Sequence, residues 1–202
     1  MEAYARFLWE AQIIQIRTAP PWFQWVSGIQ SPIYADHRRL LSYPYWRRWV
    51  IEALTERLKI RLPSFKAVVG VATGGIAWAA WLGEALELPV GYVRAQPKSH
   101  GLGRQVEGLS EPVPVLLIED LISTGESLRR AAFSLQAEGF PVIAAAALWS
   151  YELPFTAPFP QPTLALLTFP QALWYWTKAN LLSPEEALLL RQWHRSLTLP
   201  LS

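Results

Sequence analysis

Residues 115–127 read VLLIEDLISTGES. An apolar run, Val115 to Ile118, ends in two adjacent acids, Glu119 and Asp120, and after Leu121 and Ile122 it breaks into Ser123-Thr124-Gly125-Glu126-Ser127. A strand that only filled a core has no use for two carboxylates at its tip. A plain strand-to-helix turn needs few of these closely spaced hydroxyls. The stretch predicts a buried strand that delivers polar groups at its carboxyl end, followed by a helix over SLRRAAFSLQAEG (127–139).

The segments on either side repeat that alternation. KAVVGVA (66–72) reads as a buried strand, then TGG and a helical stretch IAWAAWLGEALEL. PVGYVRA (89–95) reads as a strand, followed by a Gly- and Lys-containing loop to about Leu109; PVIAAAALW (141–149) is a further strand. Strands alternating with helices predict a parallel sheet covered by helices on both faces, hence one α/β domain over residues 1–202. Upstream, residues 3–16 have an amphipathic helical pattern, SGIQSPIYADHRRLLSYP (27–44) is turn-rich, and 45–60 carry apolar residues at helical spacing. After Leu153, prolines at 154, 158, 160 and 162 break the pattern, and a short strand (163–169) and two helices complete the chain. Ser183-Pro184-Glu185-Glu186 opens the last helix: Ser183 caps, Pro184 takes the first helical position and Glu186 closes a capping box.

The acid pair lies where ligands bind in open α/β sheets, beyond the carboxyl ends of the strands. Carboxylates there accept hydrogen bonds from a pair of sugar hydroxyls. The turn that follows supplies N–H groups and hydroxyls at a helix N-terminus, which favours a phosphate. Gly125 permits the tight backbone. Together these groups describe a ribose 5-phosphate site. A P-loop is excluded because no Gly-Lys-Ser/Thr follows, and GLGRQV (101–106) does not meet the dinucleotide pattern.

Composition bounds the alternatives. The chain has 202 residues, 51% hydrophobic and 17% charged, with a net charge of +2 and no cysteine. It is therefore expected to be globular, without disulfide or thiolate chemistry, and without the basic runs of a dedicated nucleic-acid binder. Glu2, Arg6 and Glu10 interrupt any signal-peptide core, and no long apolar span exists, so a cytoplasmic protein with no membrane partner is expected. Eleven tryptophans and 17 prolines read as bulky packing and stiffened loops, or as an aromatic subunit interface.

VLLIEDLISTGES resembles the 5-phosphoribosyl 1-diphosphate (PRPP) motif of the type I phosphoribosyltransferases. SGIQSPIYADHRRLLSYP is similar to the entrance motif of orotate phosphoribosyltransferases, commonly S-G-x-K-S-P-x-Y-x-D-x-R, and residues 69–108 with YELP (151–154) resemble further stretches of that family in its short bacterial form. The resemblance implies the type I fold, with a small hood built from about residues 1–44 and the C-terminal segment. It implies transfer of phosphoribose from PRPP to orotate, with the substrates as small-molecule partners, and a homodimer whose mobile loop reaches the neighbour's site. For PRPP it implies Glu119, Asp120, Leu121, Ile122, Ser123, Thr124, Gly125, Glu126 and Ser127, with Arg94, Lys98 and His100 on the diphosphate.

Lys98 and His100 are the expected catalytic groups, because cations aimed at the departing diphosphate stabilise the charge that develops there, and a histidine titrates near neutrality. Thr73 and Gly74 would offer backbone N–H groups to the diphosphate, or form only a tight turn. Tyr34 would wall the orotate ring, Thr124 would contact orotate, and Asp36 with Arg38 read as a structural ion pair. Mg²⁺ is expected to arrive with PRPP, with no dedicated metal site. Gln30, Gln96 and Glu126 depart from residues common in the family (Lys, Lys and Gly). The alternatives are a transferase for another base and a non-catalytic PRPP-sensing regulator.

Overall fold

The protein is described here in a computed structural model, covering residues 1–61, 64–96, 105–155 and 159–198. Its elements in chain order are α1 (Glu2–Glu10), β1 (Ile14–Ile16), β2 (Phe23–Gln24), β3 (Gln30–Ser31), β4 (Ile33–Ala35), a 3₁₀ turn (His37–Ser42), α2 (Pro44–Arg61), β5 (Ala67–Val71), α3 (Ile76–Leu86), β6 (Val90–Val93), β7 (Val106–Glu107), β8 (Val115–Ile122), α4 (Glu126–Ala137), β9 (Val142–Ser150), β10 (Thr163–Thr168), α5 (Phe169–Lys178) and α6 (Pro184–Thr198).

The main sheet runs β10-β9-β8-β5-β6-β7, parallel throughout except for the edge strand β7. Strands at its centre are shielded on both faces, which is why they read as unbroken apolar runs. All five residues of β5 are buried, as are the first five of β8. One face packs against α2 and α3 through Leu54, Trp78 and Leu82, and the other against α4 through Leu128 and Leu135. Each such side chain taken from water contributes roughly 1.5–3 kcal/mol, so the two apolar layers fix the sheet between its helices. This is the α/β architecture expected from the alternation.

Two local expectations change. The helix expected over 3–16 stops at Glu10; Gln12 takes φ +51°, and Ile14–Ile16 pairs antiparallel with Ile33–Ala35. Ile13, Ile14 and Ile16 are β-branched, and a partner strand brought in from 33–35 outweighs a marginal helical pattern. Similarly, the loop expected up to Leu109 contains β7, held by Tyr92↔Glu107 and Val93↔Val106 pairing.

The N-terminal segment and the last two helices share one core with α2. Trp176 Nε1 donates to the Ala5 carbonyl at 2.7 Å, tying α5 to α1, and Trp193 Nε1 on α6 donates to the Gln30 carbonyl at 3.1 Å. Trp78, Trp149 and Trp176 are fully buried, so these tryptophans pack the interior, while Trp174 is exposed. Ser183 N–H donates to Glu186 Oε2 at 2.8 Å and the Glu186 N–H donates to Ser183 Oγ at 3.1 Å, which completes the expected capping box of α6. Among the described residues no helix is long and apolar enough to cross a membrane.

Candidate active site

β5 and β8 are neighbours in register, Gly70 opposite Ile118, so their carboxyl ends emerge side by side. β8 presents Glu119 and Asp120, and the β5 turn presents Thr73-Gly74-Gly75. The contact is close: a Cβ on Gly74 would lie 2.5 Å from the Asp120 carboxyl group. Any larger residue there would have to push that carboxyl group aside. The N–H groups of Thr73 and Gly74 make no hydrogen bond among the described residues, although the Gly75 N–H closes a turn onto the Val71 carbonyl at 2.8 Å. The segment is thus both a tight turn and a source of unspent donors.

Beyond Asp120 the chain passes into α4 through Gly125, whose φ of +74° is the left-handed region that glycine tolerates. A Cβ there would also meet the Phe155 ring at 2.8 Å. The N–H groups of Ser123, Thr124 and Gly125 make no hydrogen bond among the described residues. They lie at the N-terminus of a 12-residue helix, where partial positive charge collects. Glu126, the departure from the family pattern, turns its carboxylate to Arg129, whose Nη2 lies 3.1 Å from both oxygens, with Arg130 at 3.9 Å. Its charge is thereby engaged by two guanidinium groups of the helix.

The acid pair is electrostatically loaded. Burial pushes the Glu119 carboxyl up to about 8, and the neighbouring Asp120 adds to the rise; a hydrogen bond from Ser127 and the field of Arg130 oppose it. Ser127 Oγ lies 3.0 Å from both Glu119 oxygens, so one hydroxyl fixes the carboxyl orientation. Asp120 is raised as well, by burial first, and the Arg38 guanidinium and the N–H groups of Leu121 and Asp120 itself pull it back.

Next to this pair opens a pocket of ≈ 290 Å³ lined by Trp25, Tyr34, Ala35, Leu121, Ser123 and Tyr151, together with Gln24, Val26 and Ser27. Its walls are aromatic or uncharged, suited to a flat heterocycle. Phe23 stacks on Tyr34 with centroids 5.5 Å apart, and the Arg17 guanidinium lies 4.1 Å over the Phe23 ring, so Tyr34 is braced from behind.

The structure brings most of the expected residues together and redistributes two of them. Tyr34 lines the pocket as expected; Thr124 does not. Thr124 is 8% exposed and Ser123 holds the place on the pocket wall, so the hydroxyl of this turn that lines the pocket is that of Ser123. Thr124 is turned inward, away from that wall. Ile122 is buried in the core beneath α4 and takes part only through its backbone, its carbonyl accepting the Tyr151 N–H at 3.0 Å.

Arg94 faces Glu107 at 3.9 Å and borders a cavity of ≈ 60 Å³ with Ser127 and Arg130. Lys98 and His100 lie outside the described residues. Trp25 and Tyr151 were not expected in the site. Nothing in PPWFQW or YELP distinguishes a pocket wall from core packing, since both demand large aromatic residues. No group of three or more His, Cys, Asp or Glu side chains that could hold a metal ion occurs among the described residues; Glu119 and Asp120 offer carboxylate oxygens, the donor type a hard divalent cation takes.

Residues 59–152 match the Phosphoribosyl transferase domain family. The chain is 41% identical over 181 residues to a protein named orotate phosphoribosyltransferase from Enterococcus faecalis, covering 86% of this chain and 85% of that one. The chain belongs to the orotate phosphoribosyltransferase family. A second member of that name, from Lactiplantibacillus plantarum, is 40% identical over 178 residues, covering 86% of this chain and 84% of its own. The crystal structure of orotate phosphoribosyltransferase from Aeropyrum pernix superposes with a TM-score of 0.74 at 29% identity, over 89% of this chain and 99% of that one. Such an orotate phosphoribosyltransferase fold accounts for the sheet order and for the loops gathered at the carboxyl ends of β5 and β8.

Proposed function

We propose that this protein transfers the 5-phosphoribosyl group of PRPP to orotate, giving orotidine 5′-monophosphate and diphosphate in pyrimidine synthesis. The observation that carries the reading is one cluster at the end of the sheet: an acid pair and a turn of unspent N–H groups in consecutive order, with an uncharged aromatic pocket that takes Leu121 and Ser123 of the same stretch into its wall. Glu119 and Asp120 accept hydrogen bonds from the ribose hydroxyls, and the 123–127 turn with the α4 N-terminus holds the 5-phosphate. The pocket beside Ser123 and Tyr34 takes the base.

In the reaction the C1′–oxygen bond to diphosphate breaks and orotate N1 forms the new bond to C1′, losing its proton to solvent or to the departing group. The ring becomes oxocarbenium-like, and negative charge grows on the diphosphate. Thr73 and Gly74 offer N–H groups where that charge develops. Arg94, Lys98 and His100 are assigned to the same group, Lys98 as the principal cation and His100 as a hydrogen-bond donor to the leaving diphosphate.

Mg²⁺ entering with PRPP fits the oxygen donors of the acid pair and would neutralise part of the diphosphate charge. The protein is further proposed to act in the cytoplasm as a homodimer whose 97–104 segment serves the neighbouring site. Mixing the purified protein with orotate, PRPP and Mg²⁺ and following orotate absorbance tests the reading: absorbance falls with release of one diphosphate per orotate. A folded sample that leaves orotate untouched while consuming adenine or hypoxanthine would transfer the assignment to a purine substrate.

A further inference from the structure

Orotate is an anion at neutral pH, yet no charged side chain lines the proposed base pocket among the described residues. Its carboxylate is attached at C6, next to N1, the atom that bonds C1′ of ribose. When N1 faces C1′, the carboxylate therefore lies at the ribose end of the pocket, beside the acid pair. A carboxylate buried there without a partner carries a large desolvation cost, and Asp120 repels it as well.

Among the described residues, a cation stands at that junction. Arg38, just past β4, reaches with Nη2 to the Tyr34 hydroxyl at 3.3 Å, and Tyr34 lines the base pocket. On its other side the guanidinium lies close enough to Asp120 to oppose the burial-driven rise of that carboxyl. Asp36 Oδ1 accepts from Arg38 Nε at 2.9 Å and thereby orients the group, leaving Nη1 and the second N–H of Nη2 unspent among the described residues. The side chain is 62% exposed, so these groups are open to a ligand. Guanidinium geometry suits bidentate recognition of a carboxylate.

We infer that Arg38 is the residue by which this site recognises the carboxylate of its pyrimidine substrate, with Asp36 and Tyr34 holding the guanidinium between the base pocket and the ribose carboxylates. The ion pair with Asp36 is then a positioning contact and not an end in itself. This inference rests on the proposed assignment of the pocket to orotate.

Steady-state kinetics of the full-length protein and of Arg38→Ala, Arg38→Lys and Asp36→Asn, with orotate and with uracil, tests it. Uracil is the same ring without the carboxylate. Arg38→Ala is expected to raise the KM for orotate about 10- to 100-fold, the range for losing a charge-assisted hydrogen-bonded pair. The KM for PRPP stays within about twofold, and the preference for orotate over uracil in kcat/KM shrinks by the same factor as orotate binding. Arg38→Lys recovers part of the loss, and Asp36→Asn, which keeps the guanidinium but loosens it, loses less than Arg38→Ala. Titration calorimetry with orotate reports the same order without turnover.

An unchanged orotate KM in Arg38→Ala, a rise confined to the KM for PRPP, or an undiminished preference over uracil overturns the inference. Because the side chain is largely exposed, thermal melts of the variants should match the parent; equal losses of melting temperature and rate in Arg38→Ala and Asp36→Asn, with orotate KM unmoved, would make the pair merely structural. A parent protein that consumes no orotate fails before any variant is compared, and that failure belongs to the pocket assignment.

Discussion

At the scale of single residues, the site is built from groups that would be unfavourable anywhere else. Glu119 is 8% exposed and carries a carboxyl raised to about 8, from a usual carboxylate value of about 4.5, chiefly by burial. Between those two values the folded state binds a proton that the unfolded chain has released, so folding stability falls as pH rises through that window. Below about 4.5 the penalty is absent; above about 8 it is complete. Glu119→Gln cannot ionise, so its melting temperature should decline less than the parent's between pH 5 and pH 8, which calorimetric scans across ~3 pH units read directly. Parallel curves would show that Glu119 is not the titrating group. Gly74 supports a second expectation. A methyl group 2.5 Å from the Asp120 carboxyl must displace it, so Gly74→Ala should weaken PRPP binding by about tenfold or more while the fold survives. Isothermal titration with PRPP and Mg²⁺ would reveal this, and an unaltered dissociation constant would separate Asp120 from sugar binding.

At the scale of elements, β8 with its following turn and helix is the functional unit, and its neighbours exist to hold it. β5 and β9 clamp it on either side, Gly70↔Ile118 and Ala146↔Ile118. The flanking helices then bury both faces. Such a strand has little freedom to shift register, because a slip of one residue would turn Glu119 and Asp120 to the opposite faces of the sheet. α6 combines packing through Ala187 and Leu190 with local chemistry at its start, the reciprocal Ser183 and Glu186 hydrogen bonds. Ser183→Ala should cost about 1 kcal/mol, seen as a fall in melting temperature of about 2–4 °C for a domain of this size, with orotate turnover unchanged. A melting temperature equal to the parent's would mean that packing through Leu190, and not the cap, sets the stability of this helix.

At the scale of the whole molecule, the parallel sheet gathers separate loops at one end, while the N-terminal segment and α6 join over the pocket through Trp25, Tyr151 and Trp193. The pocket is lined by the N-terminal segment and by Leu121, Ser123 and Tyr151 from the end of the sheet, so a ligand held there would touch both. The proposed homodimer with a shared loop makes a distinctive prediction. Lys98→Ala and Asp120→Asn should each be nearly inactive alone, but co-refolded in equal amounts they should recover about a quarter of parental turnover, since random pairing makes half the dimers mixed and each mixed dimer has one intact site. Recovery absent in a sample shown by sedimentation to contain mixed dimers would place Lys98 over its own subunit's site.

The sequence by itself determined the alternation of strands and helices, the position of β8 with its acids and hydroxyl-rich turn, and the cap of α6. These are legible because each depends on side-chain period or on residues only a few positions apart: Glu119, Asp120 and Ser123 to Ser127 carry their chemistry in consecutive order. The tertiary structure alone decided that Ile14–Ile16 is a strand, that Ser123 and not Thr124 faces the pocket, and that Tyr151 and Trp25 form its wall. It also decided that Arg38 reaches the Tyr34 hydroxyl and acts on the Asp120 carboxyl through its charge. Those outcomes turn on which distant segment arrives as a neighbour, and side-chain direction at a turn is settled by that neighbour and not by the local pattern of polarity.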